Sequence, residues 1–568
     1  MLGAACSLPA SALVFSLGDL DGQLDTGLEF TSRWALQQPA PGLVGQANGG
    51  RGAAQTGDDG RLNFARGSIF SKRLTLTEHL ELRHEDTGVL LGGRYWQDFA
   101  LAGTHLPHRE VVSAGRQRLA RPAGVYLLDA LLYRHYQWRA QPGLVRLGRQ
   151  VVHWGESRLM GGGLDVIAPH EQAAQQSGIA RPLADSALPV NLLYLSQNLS
   201  EQWLLDAFYQ LGAARDVLAN CGSFFSGADG LADGCRHYDV GSNMLASPEL
   251  AVLQAIPAAY GLERSLGPEG IRLARGSDRR ASVSGQFGLA LHWLGVRSRW
   301  GLYVMNYHSR QPMLGVRGAS AATWAVLPAI LAQSAARLGA ASGSVLEQQR
   351  QAVLLGDSRY ALRYPENIHL FGLSAATVLP AGWRWSGELS WRPNAPVQLN
   401  TAWLVRQLTE TGSAGLHERG YRRRAVTRLQ TGLQHDLGRL ALEGELGYVH
   451  TGGLGHGLRY GRDPVFGLDG KGGYVTRNAW GYRLRATARY ARVLPRTDLE
   501  PSLAFAHDVS GYAPDGLFSQ KAKALNASLG LTYMDTYRLS LGYSTFWGGR
   551  YNLLADRDFL ELDLRIRF

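Results

Sequence analysis

Long apolar runs are missing from this chain of 568 residues. The longest, Trp324 to Ala332, holds nine residues and carries Pro328 inside it. A spanning helix needs about 20 apolar residues, so a helical membrane protein is excluded. A membrane β-barrel is not, because its strands alternate and escape hydropathy scans. Charge is scarce as well, at 18%, below the usual ~25%. With 45% hydrophobic residues, 14 Trp and 23 Tyr, there is ample material to bury, which excludes disorder. The 70 glycines show no three-residue period, which excludes collagen.

Lysine is nearly absent. Lys72, Lys471, Lys521 and Lys523 are the only four, so arginine supplies almost all of the 58 basic residues and the net charge of +11. Two explanations stay open: the codon bias of a GC-rich genome, or a wet arginine surface for anionic ligands. The arginines are dispersed, with no basic helix or finger, so no nucleic-acid partner is expected.

Cysteine is scarce too, with three residues. Cys221 and Cys235 flank a Gly- and Ser-rich loop, and no partner stands at zinc spacing. A disulfide formed in an oxidising compartment is expected. Cys6 lies in an apolar opening, and residues 1–12, ending in Ala10-Ser-Ala12, read as a signal-peptide remnant.

What the chain does have is alternation. In the last nine residues Leu560, Leu562, Leu564, Ile566 and Phe568 share one parity, while Glu561, Asp563, Arg565 and Arg567 take the other. A period of two places the sets on opposite faces of a strand. The same pattern sets Trp480, Tyr482 and Leu484 against Arg483, Arg485 and Arg489, and Leu539 and Leu541 against Arg538 and Ser540. Aromatics at the ends of an aliphatic face suit a membrane girdle, and an arginine face requires water. Arg483, Arg485, Arg489, Arg538 and Arg565 are therefore candidate lumen residues. The terminal Phe568, with Leu564 and Ile566, resembles a barrel-assembly signal.

Eighteen segments are predicted as strands: 24–34, 74–84, 88–98, 124–138, 143–153, 191–199, 202–212, 284–293, 299–308, 368–378, 384–392, 426–436, 440–450, 481–491, 498–507, 523–533, 537–547 and 559–568. Their connections alternate between long and short, as in outer-membrane barrels with long outer loops and short periplasmic turns. The expected fold is all-β: a transmembrane antiparallel outer-membrane β-barrel of about 16–18 strands. Residues 13–568 form one domain, with 319–355 as a helical loop or plug.

The segment Gly148–Ser157 ends a strand and enters a long loop. Arg146, Arg149, Gln150, His153, Trp154 and Glu156 are candidate constriction residues where loop 154–190 dips inward. Gly161–Gly163 suits a tight inward turn. An Arg–Glu pair and an interfacial Trp that merely stabilise the rim are the competing reading. Arg149 falls on an apolar parity, so either a bulge re-aims it or it sits at the interface.

Several phrases together carry a resemblance. They include Gly57-Asp-Asp-Gly-Arg-Leu-Asn-Phe64, Gly148-Arg-Gln-Val-Val-His-Trp154, Leu205-Asp-Ala-Phe-Tyr-Gln210, Asn306-Tyr-His-Ser309, Tyr364-Pro-Glu-Asn-Ile368 and Arg392-Pro-Asn-Ala-Pro-Val-Gln398. The chain resembles the proteobacterial outer-membrane family known as domain of unknown function 1302. His153 stands where that family more often shows Asn. The resemblance implies an outer-membrane barrel without an assigned reaction. Its neighbourhood implies, as partners, a periplasmic lipid-carrier-like protein and an RND-type inner-membrane exporter, beside outer-membrane lipid and the barrel-assembly machinery.

Catalytic motifs are weak. Gly372-Leu-Ser-Ala-Ala376 lacks the last glycine of a nucleophile elbow, and His507-Asp508 has no nucleophile placed beside it. Asp19, Asp21 and Asp25 are spaced like a calcium loop but lack the twelfth-position Glu. No enzyme, metal or cofactor is expected. The expected function is an outer-membrane channel or transporter barrel in an envelope-spanning export or lipid-trafficking system. A surface receptor or structural barrel without flux, or a barrel-borne hydrolase, are the alternatives.

Overall fold

A computed structural model describes residues 13–176, 179, 183–241, 253–262, 266–338, 343–455 and 457–568. The 1–12 segment lies outside them. Eighteen strands form the wall: β1 (Leu20–Ala35), β2 (Ile69–His84), β3 (Thr87–Asp98), β4 (Ala123–Trp138), β5 (Gln141–Gln150), β6 (Val190–Asn198), β7 (Trp203–Gln210), β8 (Gln286–Leu294), β9 (Ser298–Tyr307), β10 (Ile368–Val378), β11 (Arg384–Gln398), β12 (Tyr421–Leu437), β13 (Leu440–Thr451), β14 (Asn478–Ala488), β15 (Thr497–Ser510), β16 (Lys523–Tyr533), β17 (Tyr537–Trp547) and β18 (Phe559–Arg567). Each pairs antiparallel with its sequence neighbours in the wall, and β18 closes on β1, with Gly27 opposite Arg567 and Ala35 opposite Phe559. Closure leaves no open edge, which a lipid environment requires.

All eighteen predicted segments are strands, and the departures have local causes. β11 was expected to stop at Arg392, just before Pro393, which has no N–H to give a ladder. It continues to Gln398, since the register shifts between Arg392 and Ala395 and the proline sits in that irregularity. β5 was expected to reach His153 but ends at Gln150, where the chain leaves the wall. The strand expected to run unbroken to Ala491 stops at Ala488, and Tyr490–Leu494 pairs irregularly beyond it.

The outward face is apolar. Leu91, Leu132, Leu193, Leu289, Leu302, Leu373, Leu429, Leu484, Leu503 and Leu541 are all exposed. Trp138, Trp203, Trp300 and Tyr533 lie toward the short-turn end, and Tyr209, Phe371, Trp391 and Trp547 toward the long-loop end. This is a lipid-facing belt between two aromatic girdles, and it places the protein in the bacterial outer membrane. No helix among the described residues is long and apolar enough to cross a membrane. Arginine at Leu302, in the middle of β9, is expected to cost about 2–4 kcal/mol of stability. Urea titration of the barrel refolded in vesicles measures it.

The outer loops fold into a cap. It holds two small sheets, the helix α1 (Asp59–Asn63) and a helical hairpin of α2 (Ala321–Leu338) and α3 (Gly343–Asp357). The hairpin buries Leu327, Ile330, Val353 and Leu354 against Leu253, Ile256 and Ala319, none of them from a wall strand. A phenylalanine cluster of Phe64, Phe224 and Phe225 seats the loops on Phe70, Phe546 and Phe559 at the rim. Cys221 and Cys235 form a disulfide within the loop between β7 and β8. A Cys221→Ser/Cys235→Ser chain is expected to lose about 3 kcal/mol of local stability there. Protease nicking of loop 211–285 should rise while the barrel keeps its heat-modifiable gel shift.

Candidate functional site

The segment after β5 leaves the rim and turns into the lumen. It is fastened to β11, β12 and β13, six to eight strands away around a wall of eighteen. It therefore crosses much of the interior rather than lining one side.

Two buried glutamates on the far wall hold it. Glu388 of β11 accepts the backbone N–H groups of Glu156 at 2.6 Å, Ser157 at 3.1 Å and Leu164 at 2.9 Å. Glu445 of β13 accepts those of Arg158 at 3.0 Å and Leu159 at 2.9 Å, and the Ser157 hydroxyl. Two arginines take the loop's carbonyls. Arg392 donates to Gly162 and Gly163, and Arg428 to Gly161, while Gln430 donates to Met160 O at 2.9 Å. Each wall group thus meets a loop group of the opposite polarity, as buried backbone requires.

Glycine is required at the turn. A Cβ at Gly163 would overlap the Glu388 carboxylate and Gln430, and Gly162 takes a φ of +78°. Apolar anchors flank the polar ones. Met160 packs beside Val426, Val449 and Phe518. Leu164 and Ile167 pack beside Tyr303, Met305, Ile368 and Leu370.

The predicted constriction residues gather at the root of this loop. Trp154 is buried between Phe208 and Tyr303, with ring centroids 5.1 and 5.7 Å away. Glu156 pairs in bidentate fashion with Arg299 of β9, at 2.9 and 2.5 Å. His153 Nδ1 lies 2.9 Å from Asp165, whose hydrogen bond raises the imidazole pKa. Gln150 is buried and donates to Leu192 O. Arg146 stacks over Tyr194 at 4.4 Å. Arg149 is half-buried, stacks over Tyr126 at 4.9 Å and donates to its hydroxyl and to Leu127 O. The register of β3 against β4 shifts between Leu91 and Gly93, so Leu128 and Asp129 form a bulge beside it.

The predicted lumen arginines stand beside acids. Arg483 pairs with Asp508 at 2.8 Å, Arg538 with Glu500 at 2.7 Å, Arg565 with Glu29 at 3.0 Å, and Arg485 with Glu443. Arg489 is mostly exposed, 3.6 Å from Glu500. The arginine count therefore overstates the positive field in the lumen. Asp508, engaged with Arg483, lies on the opposite face of β15 from His507, whose ring meets the Tyr482 hydroxyl. The two side chains therefore do not act on each other as a general-base pair.

Glu388, Glu445, Arg392, Arg428 and Gln430 were not singled out in the sequence. Neither was Arg310, which is buried and donates to Val166 O, Ile167 O, Ala214 O and Gln210 Oε1. Burial lowers its pKa to about 10. Only position hinted at them: Arg392 opens one of the recognisable phrases, and Arg310 follows another.

Two cavities adjoin the loop. One of 590 Å³ lies against Asp165, His170, Arg310, Ile368, Arg428 and Leu517. The other, of 570 Å³, lies against Phe225, Arg483, Asp508, Tyr512, Phe518 and Tyr551. Leu159 and the segment Pro514–Leu517 border both. Asp515, between them, is paired with Arg428; burial opposes its charge most, but Arg428, the Leu517 N–H and Arg392 together lower its pKa.

A family model described as a protein of unknown function, DUF1302, matches residues 1–568. The chain belongs to the DUF1302 family. No curated protein matches it. Solved structures similar to this DUF1302 barrel include OccAB2 of Acinetobacter baumannii, 10% identical, with 96% of this chain and 98% of that one covered and a TM-score of 0.41. OpdK of Pseudomonas aeruginosa with vanillate is 10% identical over 96% and 98%, with a TM-score of 0.40. A BenF-like porin of Pseudomonas fluorescens Pf-5 is 10% identical over 97% and 98%, with a TM-score of 0.42. At these scores the likeness adds nothing to the strand pairing, which by itself establishes the barrel.

Proposed function

We propose that this DUF1302 barrel is a gated outer-membrane channel, one component of an envelope-spanning export or lipid-trafficking system. Its cargo is a slender amphipathic compound of little net charge. The observation that carries this reading is the loop fastened across the lumen by Glu388, Glu445, Arg392 and Arg428. Such a strut narrows the passage and leaves a cavity that mixes Ile368, Val166 and Leu517 with paired charges. Selectivity then comes from width and local field rather than bond chemistry. The periplasmic carrier and inner-membrane exporter belong to this proposal as partners.

Single-channel recording of the refolded barrel in planar bilayers tests it. Discrete small steps, with a reversal potential close to zero in a salt gradient, are expected. Silence from a protein that is folded by its heat-modifiable gel shift, and that stays silent with its loop fastenings removed, refutes the channel. It leaves the surface receptor or structural barrel without flux.

A further inference from the structure

The outer cap buries a second cluster of acidic side chains, built from loops other than the one fastened across the lumen. Asp58 and Asp59 come from the start of α1, and Asp229 from the loop between β7 and β8. An oxygen from each carboxylate lies within 4.8 Å of the others, and none of the three residues is more than 2% exposed. Two glycines make this approach possible. A Cβ at Gly57 would press on Gly227 O, and one at Gly60 would overlap Ser223 O. The Asp229 N–H donates to Thr56 O at 2.8 Å, which pins the two segments together.

The partners are unevenly shared. Asp58 accepts the Gly45 N–H at 2.7 Å and Asn48 Nδ2 at 3.1 Å. Asp59 faces His108 Nε2 at 3.1 Å and Arg109 Nη1 at 2.9 Å. Glu269 takes the same His108 nitrogen, at 3.0 Å, and Arg109 Nη2, at 3.0 Å. Asp229 is different. Both its carboxylate oxygens are buried, and neither completes a hydrogen bond. The Asp59 backbone N–H is near enough to favour its charge, but no more.

Charge does not balance either. Asp58, Asp59, Asp229 and Glu269 face Arg109 and His108. Farther out, Arg61 is engaged with Asp556 at 3.1 Å, Arg557 lies over Phe224 at 4.5 Å and near enough to feel both Asp556 and Asp229, and Arg272 is paired with Asp239 at 3.0 Å, so acids still outnumber cations. Asp463 is close to Arg61 and adds another acid. A carboxylate held in the interior without a partner is unfavourable and attracts a cation or a proton.

We propose that Asp58, Asp59 and Asp229 bind a calcium ion that ties the loop after β1 to the loop between β7 and β8. The donors are hard carboxylate oxygens in an irregular arrangement, which suits calcium better than the strict octahedron of magnesium. The His108 imidazole has its facing nitrogen between Asp59 and Glu269, so the oxygen triad is the cation's place. The ion would lock the cap over the lumen and supply the charge that Asp229 lacks.

Calorimetric titration of the full refolded chain, stripped with EDTA, against calcium chloride and magnesium chloride tests this. One calcium per chain is expected, with magnesium weaker. Asp229→Asn and Asp58→Asn should bind calcium ~10-fold or more weakly, while Asp535→Asn, in a turn at the far end of the barrel, binds like the wild type. Calcium should slow protease cleavage within 211–285 in the wild type and not in Asp229→Asn. No calcium binding by the folded wild type overturns the site, as does full binding by Asp229→Asn. Magnesium binding as tight as calcium overturns the choice of ion. Should Asp229→Asn fail to fold, the wild-type titration and Asp58→Asn decide.

Discussion

Replacing Glu388 and Glu445 together by alanine is expected to raise the single-channel conductance several-fold. These carboxylates accept five backbone N–H groups and one hydroxyl from Glu156, Ser157, Arg158, Leu159 and Leu164. Hydrogen bonds to a charged group are each worth about 1.5–3 kcal/mol, and these are buried from water. Losing both glutamates leaves the loop amides without acceptors in the lumen, so they must turn toward water. Arg392, Arg428 and Gln430 still hold the carbonyls of Met160 to Gly163, and Met160 and Leu164 keep their apolar contacts, so the stretch from Glu156 to Leu159 is the part set free. The wall should remain intact, because both glutamates lie on strands whose ladders do not involve their side chains. Limited proteolysis between 155 and 165 reports the release, and planar-bilayer recording reports its consequence. Cleavage without a change in conductance would show that the strut does not limit the passage. Glu388→Gln alone is expected to fall between, since a neutral amide oxygen still accepts, though more weakly.

The barrel was legible because its rule is local. Alternation within each strand and the parity of loop lengths both sit in consecutive residues, so the strand at 559–568 could be read without knowing its neighbour. Errors arose where a local signal met a tertiary one. Pro393 marks a strand end by its missing N–H, yet a register shift carries β11 past it. The site was legible only at its root. Gln150, His153, Trp154 and Glu156 are near one another in sequence and stay near in space. Their counterparts Glu388 and Glu445 lie 232 and 288 residues from the groups they hold, and a single inward glutamate on a strand carries no mark of what it meets. The same holds for the acidic cluster in the cap. The calcium-like spacing of Asp19, Asp21 and Asp25 belongs to the hairpin beside β1, where Asp21 meets Ser16 and Arg83 near the surface. Asp58 and Asp229 are assembled from distant loops and have no spacing to read.

The wild-type channel is expected to discriminate weakly between anions and cations, and removing acids should change this more than removing arginines. Glu29, Glu500 and Asp508 each stand within 3.0 Å of an arginine predicted to face the lumen. A paired guanidinium and carboxylate present a dipole to a passing ion, and water and salt screen what remains of it. A Glu29→Gln/Glu500→Gln/Asp508→Asn chain keeps side-chain volume and takes from Arg565, Arg538 and Arg483 the carboxylates they are paired with. Three added net positive charges in a narrow wet pore repel cations and concentrate anions. The reversal potential in a tenfold salt gradient should move clearly toward the anion limit, and more so at low ionic strength. Substituting the three arginines instead should move it toward the cation limit. An unpaired arginine lumen predicts the contrary: a wild type already anion-selective and nearly indifferent to loss of the acids. The recordings therefore decide whether the arginine-rich composition is functional charge or charge that the fold has already neutralised.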